Sequence, residues 1–392
     1  MAATETDVLI LGAGAAGLMA ALTAGGRGRR VVVLDHAAEA GAKILISGGG
    51  RCNFTNLHCA PERFFSANPH FARSALARYT PRDFLALVER HRIAWHEKTL
   101  GQLFCDGSAR QIVAMLLAEC AAAGVEIRLG QRIGAVSRGE RFRVETASGA
   151  LEASSLVLAS GGLSIPKLGA SGLSHRLARQ FGLALAEPRP GLVPLVLGGA
   201  ELARIEGLAG VSARIGASCG AQRFEEGMVI THRGLSGPAI LQISSVWREG
   251  GGVRLDLLPG APAGVLAARK RSSPKTGLRG VLGDLLAQRL ADAFLPPDLA
   301  ARRIGEVSDP ALAALEASLR AWEIHPVGTE GYAKAEITLG GIATSDLSQR
   351  SLESKSVPGL FAIGEAVDVT GWLGGYNFQW AWSSGVAAGS AA

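Results

Sequence analysis

The sequence predicts an α/β protein in which a Rossmann-type dinucleotide-binding domain is assembled from both ends of the chain, with an inserted β-rich domain and a small helical module. Three observations predict it. A glycine-rich turn joins a short apolar strand, Val8 to Leu11, to an alanine-rich helical stretch. A second apolar strand, Val31 to Leu34, ends in the acid Asp35. Near the far end, Gly359 to Glu365 repeats the arrangement of a short strand ending in glycine plus acid.

At 392 residues the chain exceeds the roughly 250–300 residues over which one core keeps growing, so two or three domains are expected. A hydrophobic content of 48% with 52 glycines fits a compact chain of tight turns rather than a disordered one. The formal charge of +6 reads as an ordinary solvated surface, with weak attraction for anionic partners. Cys52, Cys59, Cys105, Cys120 and Cys219 form no CxxC pair and no zinc-like spacing, so reduced thiols and no metal site are expected. The uncharged stretch from Val8 to Gly26 follows acidic residues and carries the glycine pattern, so it reads as buried strand and helix rather than a membrane span. The expected compartment is the cytoplasm, and no motif bears on oligomeric state.

Along the chain, Val8 to Leu11, the helix to about Gly25 and Val31 to Leu34 make a βαβ unit, whose crossover should be right-handed. Residues 71–92 and 108–123 have helical patterns, with Thr80, Pro81 and Asp83 resembling a capped start. Val125 to Leu129 reads as a strand, residues 131–157 as an antiparallel excursion and Ser155 to Ser160 as a strand stopped by Gly161 and Gly162. Short runs at Val193 to Leu197, Val211 to Ile215 and Met228 to Thr231 suggest the β-rich domain. Residues 276–320 are helical between proline breaks, strand character returns from Ala333 to Ile342, and Asn377 to Ala388 is helix-forming. The expected division is 1–190 with 345–392 for dinucleotide binding, 191–258 with 325–344 for the β-rich domain, and 259–324 for the helical module.

Gly12, Gly14 and Gly17 spell GxGxxG directly after a strand. Gly12 suits the tight turn, Gly14 lets backbone approach a pyrophosphate, and Gly17 allows close helix packing, while amides at Ala15 and Ala16 open the helix toward phosphate charge. Asp35, 18 residues after Gly17, can accept hydrogen bonds from ribose hydroxyls. An acid there favours FAD or NAD over a 2′-phosphorylated nucleotide, without choosing between them.

Three further motifs carry a resemblance. Ser47, Gly48, Gly49, Gly50, Arg51, Cys52, Asn53, Phe54, Thr55 and Asn56 follow Lys43; Thr231, His232, Arg233, Gly234, Leu235, Ser236, Gly237 and Pro238 stand mid-chain; Gly364, Glu365, Asp368, Gly371, Gly374, Gly375, Tyr376, Asn377, Gln379, Trp380, Ala381, Trp382, Ser383, Ser384 and Gly385 stand near the end. In order and content these resemble the signatures of the YhiN-like (HI0933-like) flavoproteins, within the group built on two dinucleotide-binding-like domains. The resemblance implies FAD held by Gly12, Gly14, Gly17 and Asp35. It puts Lys43 and the loop of Ser47, Gly49, Gly50, Arg51, Cys52 and Asn53 near the isoalloxazine, and Gly364 and Glu365 near the ribityl and pyrophosphate. Gly375, Tyr376, Asn377 and Gln379 would open a helix beneath the flavin, whose amides can stabilise charge on the reduced ring. Gly162 resembles the adenosine-side crossover, with an ordinary chain reversal as the alternative.

The family resemblance also implies reduction of an activated carbon-carbon double bond. One branch is similar to enzymes reducing bile-acid enones, another to a dihydrouridine synthase acting on ribosomal RNA, and the RNA reading is modestly favoured. Hydride would come from flavin N5. Candidate proton donors are Cys52, His232 and His325, each with a packing or orienting role as its alternative. The basic run Arg269, Lys270, Arg271, Lys275 and Arg279 could dock RNA phosphate or form a charged solvent loop. No second GxGxxG appears in 190–350; the resemblance implies NAD(P)H as a transient donor binding over the flavin without a full Rossmann site, with another reductant as the alternative. Other classes are a noncatalytic flavin-bound RNA-binding protein and a flavin-containing assembly factor.

Overall fold

A computed structural model describes residues 4–392. They divide into two compact units, one ending at Arg189 and resuming over Ile337–Ala392, the other spanning Pro190–Glu336.

Five strands of the first unit run parallel in the spatial order Glu126–Arg128, Val31–Leu34, Thr4–Leu11, Gly149–Leu158, Leu360–Ala362. Numbered along the chain this is 3-2-1-4-5, the order of a dinucleotide-binding sheet. Val8, Leu9, Ile10 and Leu11 are all buried, as strands covered on both faces must be, which explains the unbroken apolar run in the sequence. The expected excursion is present as Ile133–Arg138 and Phe142–Thr146. The strand expected at Ser155 to Ser160 is not a separate element. Gly149–Leu158 is one ten-residue strand whose first half pairs antiparallel with Phe142–Thr146 and whose last residues pair parallel with Leu360–Ala362.

The helical pattern of 71–92 becomes two helices, Arg73–Arg78 and Pro81–Arg90. Proline has no amide to continue the first helix. It opens the second, where the Thr80 amide donates to the Asp83 carboxylate at 2.6 Å in a capping box.

The distant ends of the chain meet through small residues. The first helix, Ala15–Gly25, packs against the last, Tyr376–Gly389. A Cβ on Gly385 would stand 2.7 Å from the Ala16 carbonyl oxygen, so only glycine permits this approach.

In the second unit, a seven-stranded antiparallel sheet has the order Trp322–Ile324, Val253–Asp256, Ser212–Cys219, Gln222–Ile230, Gly234–Ser236, Leu195–Val196, Gly328–Thr329. Helices Val265–Ser272, Leu278–Gly283, Gln288–Phe294 and Asp309–Arg320 belong to the same unit. They join the sheet through an edge-to-face contact of Phe294 with Trp322 at 4.9 Å and a bond from the Leu257 amide to the Leu319 carbonyl. The strand Ile337–Ile342 lies with the first unit, paired with Leu185–Gly191, whereas the sequence reading grouped 325–344 with the β-rich domain. Apolar alternation reports burial but not which sheet supplies the partner edge.

Candidate active site

The spatial order 3-2-1-4-5 reverses direction between Thr4–Leu11 and Gly149–Leu158, and a crevice is expected beyond the carboxyl ends of these strands. Gly12 occupies that point with φ of 122°, and any Cβ on it would overlap the Ala159 carbonyl. A Cβ on Gly17 would likewise overlap the Gly12 carbonyl. Gly14 differs. A Cβ there meets no protein atom within 4 Å, so its glycine is not demanded by the protein's own packing. It precedes a helix with no side-chain cap and no acid in its first turn, where the first amides lack intrahelical acceptors. An open cradle lined by unpaired amides suits a pyrophosphate.

Asp35 is held at the end of the second strand. Its Oδ2 accepts from the Ala13 amide at 2.6 Å and its Oδ1 from the Ala37 amide at 2.8 Å. The His36 Nδ1 also lies 3.3 Å from Oδ1, so Oδ2 retains the freer lone pair for a hydroxyl donor, and the side chain is 15% exposed.

Deeper along the first unit stands a cluster drawn from four separate stretches of chain. The Lys43 Nζ lies 2.5 Å from Glu365 Oε2 and donates to Ser164 Oγ at 2.6 Å. Ser164 Oγ donates to Glu365 Oε1 at 2.7 Å, and that oxygen also accepts from the Thr338 amide at 2.9 Å. The Thr338 hydroxyl accepts in turn from the Leu163 and Ser164 amides. Burial alone would raise the Glu365 carboxyl pKa, but the Lys43 charge and these hydrogen bonds outweigh it and hold the group below the ordinary range. Sequence reasoning named Lys43 and Glu365 but missed Ser164 and Thr338. No spacing links positions 43, 164, 338 and 365, so only the fold brings them together. Gly162 lies against Thr338, where a Cβ would strike the threonine hydroxyl. Gly364 lies against the first helix, where a Cβ would come 2.8 Å from that of Ala16.

The loop from Ser47 to Asn53 is built on left-handed glycines, Gly48, Gly49 and Gly50. Gly48 packs against the Phe104 ring, but a Cβ on Gly49 would meet nothing within 4 Å and one on Gly50 only the Leu45 carbonyl at 4.0 Å. Ser47 turns inward, its hydroxyl donating to the Ile44 carbonyl, and Arg51 is exposed.

Gly374 and Gly375, both at positive φ, lead into the final helix, which also lacks a side-chain cap and a first-turn acid. Asn377 fixes this turn, accepting from the Gly371 amide at 2.8 Å and donating to the Gly371 carbonyl at 2.9 Å. Asn53 bonds Gln102, and Tyr376 is buried edge-on to Phe64. Gln379 corrects the sequence reading. It is fully buried, its Oε1 accepts from Thr55 at 2.6 Å, and its Nε2 donates to the Tyr79 carbonyl and Ser383. It ties the helix to its neighbours and offers nothing to a ligand.

Cys52 requires a second correction. It is wholly buried at φ of 50°, and burial pushes its thiol up to about 12, the Ser47 contact opposing weakly. Such a group neither reaches a substrate nor gives up its proton near neutrality. Relative to an ordinary thiol near 9.0, native alkylation of Cys52 at pH 8 should be slower by about three orders of magnitude. Time-resolved iodoacetamide labelling with peptide mass mapping checks this; modification of Cys52 as fast as in unfolded protein would refute it. His232 and His325 belong to the second unit and both are exposed. His232 follows Thr231 in a turn closed by the Thr231 amide on the Gly234 carbonyl at 2.8 Å. It lines a pocket of about 460 Å³ with Leu202, Ile205 and Glu206. The His325 backbone amide donates to Glu201 at 2.8 Å, and its ring lies 3.6 Å from the same carboxylate.

Among the described residues no helix is long and apolar enough to cross a membrane. The profile of the HI0933-like protein Rossmann domain matches residues 6–391. The chain belongs to the HI0933-like family. It is 47% identical over 390 residues to the ribosomal RNA dihydrouridine synthase of Escherichia coli, covering 96% of each chain. It is 30% identical over 403 residues to a 3-dehydro-bile acid delta(4,6)-reductase of Clostridium scindens, covering 98% of each. A 3-ketosteroid-delta4-(5alpha)-dehydrogenase from Rhodococcus jostii shares the fold with a TM-score of 0.50 at 16% identity, over 98% of this chain and 97% of that one. The family is one of FAD-dependent oxidoreductases, and the open face at Gly14 and the lone pairs on Asp35 fit that cofactor.

Proposed function

We propose that this protein saturates the C5=C6 bond of a uridine in ribosomal RNA, with FAD as resident cofactor and NADH or NADPH as reductant. The observation that carries the proposal is 47% identity, across 96% of both chains, to an enzyme named for that reaction. FAD supplies, when bound, the hydride that uridine C6 accepts.

The chain's own residues do the rest. Gly14 with the amides of Ala15 and Ala16 receives the pyrophosphate, Gly12 and Gly17 shape that turn, and Asp35 takes the ribose hydroxyls. Lys43 and Glu365 orient one another beside Gly162 and Gly364, while the open faces of Gly49 and Gly50 leave room for the ring system. The amides opening the helix at Gly375 and Tyr376 favour negative charge, and Asn377 holds them in place. Ser47, Arg51 and Asn53 support the loop. The C5 carbon needs a proton, which an acidic group or water supplies as the hydride arrives at C6. A cytoplasmic location follows from the substrate.

The Clostridium scindens relative supports a second reading, reduction of a small-molecule enone. Anaerobic photoreduction of the purified holoprotein, followed by separate addition of unmodified ribosomal RNA and a cyclic-enone panel, separates the two. RNA-dependent reoxidation with one uridine gaining two hydrogens is expected. Turnover of an enone with no response to RNA would overturn the first reading, and RNA binding without reoxidation would mark a noncatalytic binder.

A further inference from the structure

The basic run in the second unit changes meaning once folded. Two of its five cations are already committed. Lys270 donates to Asp309 at 2.7 Å and to the Val307 carbonyl, and Arg279 forms a two-pronged pair with Asp292 at 2.7 Å on both bonds. Among the described residues, Arg269, Arg271 and Lys275 have no carboxylate within ion-pair distance.

The fold then adds cations that the run did not contain. Residues 274–278 lie antiparallel to 302–305, bridged at Gly277 and Arg303. The Leu278 amide donates to the Arg302 carbonyl at 2.9 Å, Ile304 to Thr276 at 2.8 Å and Gly305 to Pro274 at 2.9 Å. Arg303 and Arg302 are thereby fixed opposite Gly277 and Leu278, on the chain segment that carries Lys275, although 27 residues separate Lys275 from Arg302 in sequence. Arg271, Lys275, Arg302 and Arg303 are all exposed.

Three of the five acids in residues 264–309 are already engaged, and Asp284 and Asp298 are outnumbered by the cations. Asp309 and Asp292 are occupied by Lys270 and Arg279, and the Glu306 carboxylate caps the Arg303 backbone amide at 3.0 Å. Residues 264–309 carry eight Lys and Arg against five Asp and Glu. The patch is also bare of large apolar groups, since the exposed ones are Ile46, Leu57, Leu100 and Val327, all elsewhere. A membrane surface or a protein hot spot needs apolar anchors, whereas a polyphosphate backbone needs forked guanidinium donors and little else.

We propose that Arg269, Arg271, Lys275, Arg302 and Arg303 form a docking surface for the phosphate backbone of RNA. This rests on the RNA reading above and deepens it, because it assigns substrate affinity to a surface of the second unit. Such contacts position the nucleic acid and carry no base information. Binding through them should therefore tolerate changes in RNA sequence and weaken steeply with salt.

The test uses full-length holoprotein and unmodified ribosomal RNA made by transcription. The variant Arg271→Gln/Lys275→Gln/Arg302→Gln/Arg303→Gln is compared with a charge-matched control, Arg29→Gln/Arg82→Gln/Arg132→Gln/Arg248→Gln, all at exposed positions. Flavin absorbance and thermal melting establish that both retain fold and cofactor. Anisotropy titrations at several salt concentrations should show the patch variant's log–log salt slope reduced by about 3, with affinity at least tenfold lower near 0.15 M salt. The control should lose far less. KM for RNA should rise, while flavin reoxidation by an added artificial acceptor should be unchanged. If the parent forms dihydrouridine and the patch variant binds and turns over like the control, the docking surface is refuted and the RNA reading survives. If the parent neither binds nor modifies RNA, both fall.

Discussion

Gly14→Val should fold like the parent and purify with a reduced flavin content. The expectation comes from a contrast among three glycines. A side chain on Gly12 or Gly17 collides with backbone, so those substitutions damage the protein itself. Gly14 has φ of −84°, which valine adopts freely, and no protein atom within 4 Å of where its Cβ would stand. Only an occupant absent from the protein's own packing can object. Crowding a closely seated group costs on the order of 1–3 kcal/mol, so FAD affinity should fall roughly 10- to 100-fold, with Gly14→Ala intermediate. Visible absorbance, FAD titration and thermal melting together decide it. A yellow Gly14→Val protein with parental affinity would remove the pyrophosphate from this cradle, whereas a loss of folding would show that the open space is not open.

Lys43→Met should destabilise the first unit by about 3 kcal/mol near neutral pH, because it strands a largely buried carboxylate. Glu365 is 19% exposed in its side chain, and Lys43 is its only cationic partner within ion-pair distance among the described residues. In the parent, the depressed Glu365 pKa contributes stability that is present above the ordinary value of 4.5 and is lost as pH falls through the folded value. Removing Lys43 leaves burial as the dominant influence and raises that pKa, so the sign reverses. The variant should then be relatively more stable in acid and lose stability as pH rises through the raised value. Melting curves between pH 5 and 8 should show the gap from the parent widening with pH, and Lys43→Met/Glu365→Gln should recover much of the loss. A gap independent of pH would mean that Glu365 is not charged in the parent.

The dinucleotide half of the fold was readable because its requirements are local. Gly12, Gly14 and Gly17 have to follow a strand, and Asp35 has to end the next one. The strand Val31–Leu34 and the helix ending at Gly25 were found where the sequence placed them. Misjudged residues share a different cause. Cys52 and Gln379 belong to a glycine-rich loop and to the first turn of the final helix, but adjacency in sequence does not say which way a side chain turns. Both turn inward, Gln379 to Thr55 and Tyr79, Cys52 into the core. Likewise the strand Ile337–Ile342 announced itself by composition, but its partner edge did not.

By itself, then, the amino-acid sequence determined the glycine turn after the first strand, the acid at the end of the next one and the family, because backbone conformation and capping act over a few residues. Tertiary structure alone decided that Ser164 and Thr338 complete the Lys43–Glu365 cluster, and that Arg302 and Arg303 lie opposite the chain segment that carries Lys275. Those groupings depend on which distant chains are paired by hydrogen bonds and burial. Such pairings are settled by the free energy of the whole packed unit and leave no periodic trace along the chain.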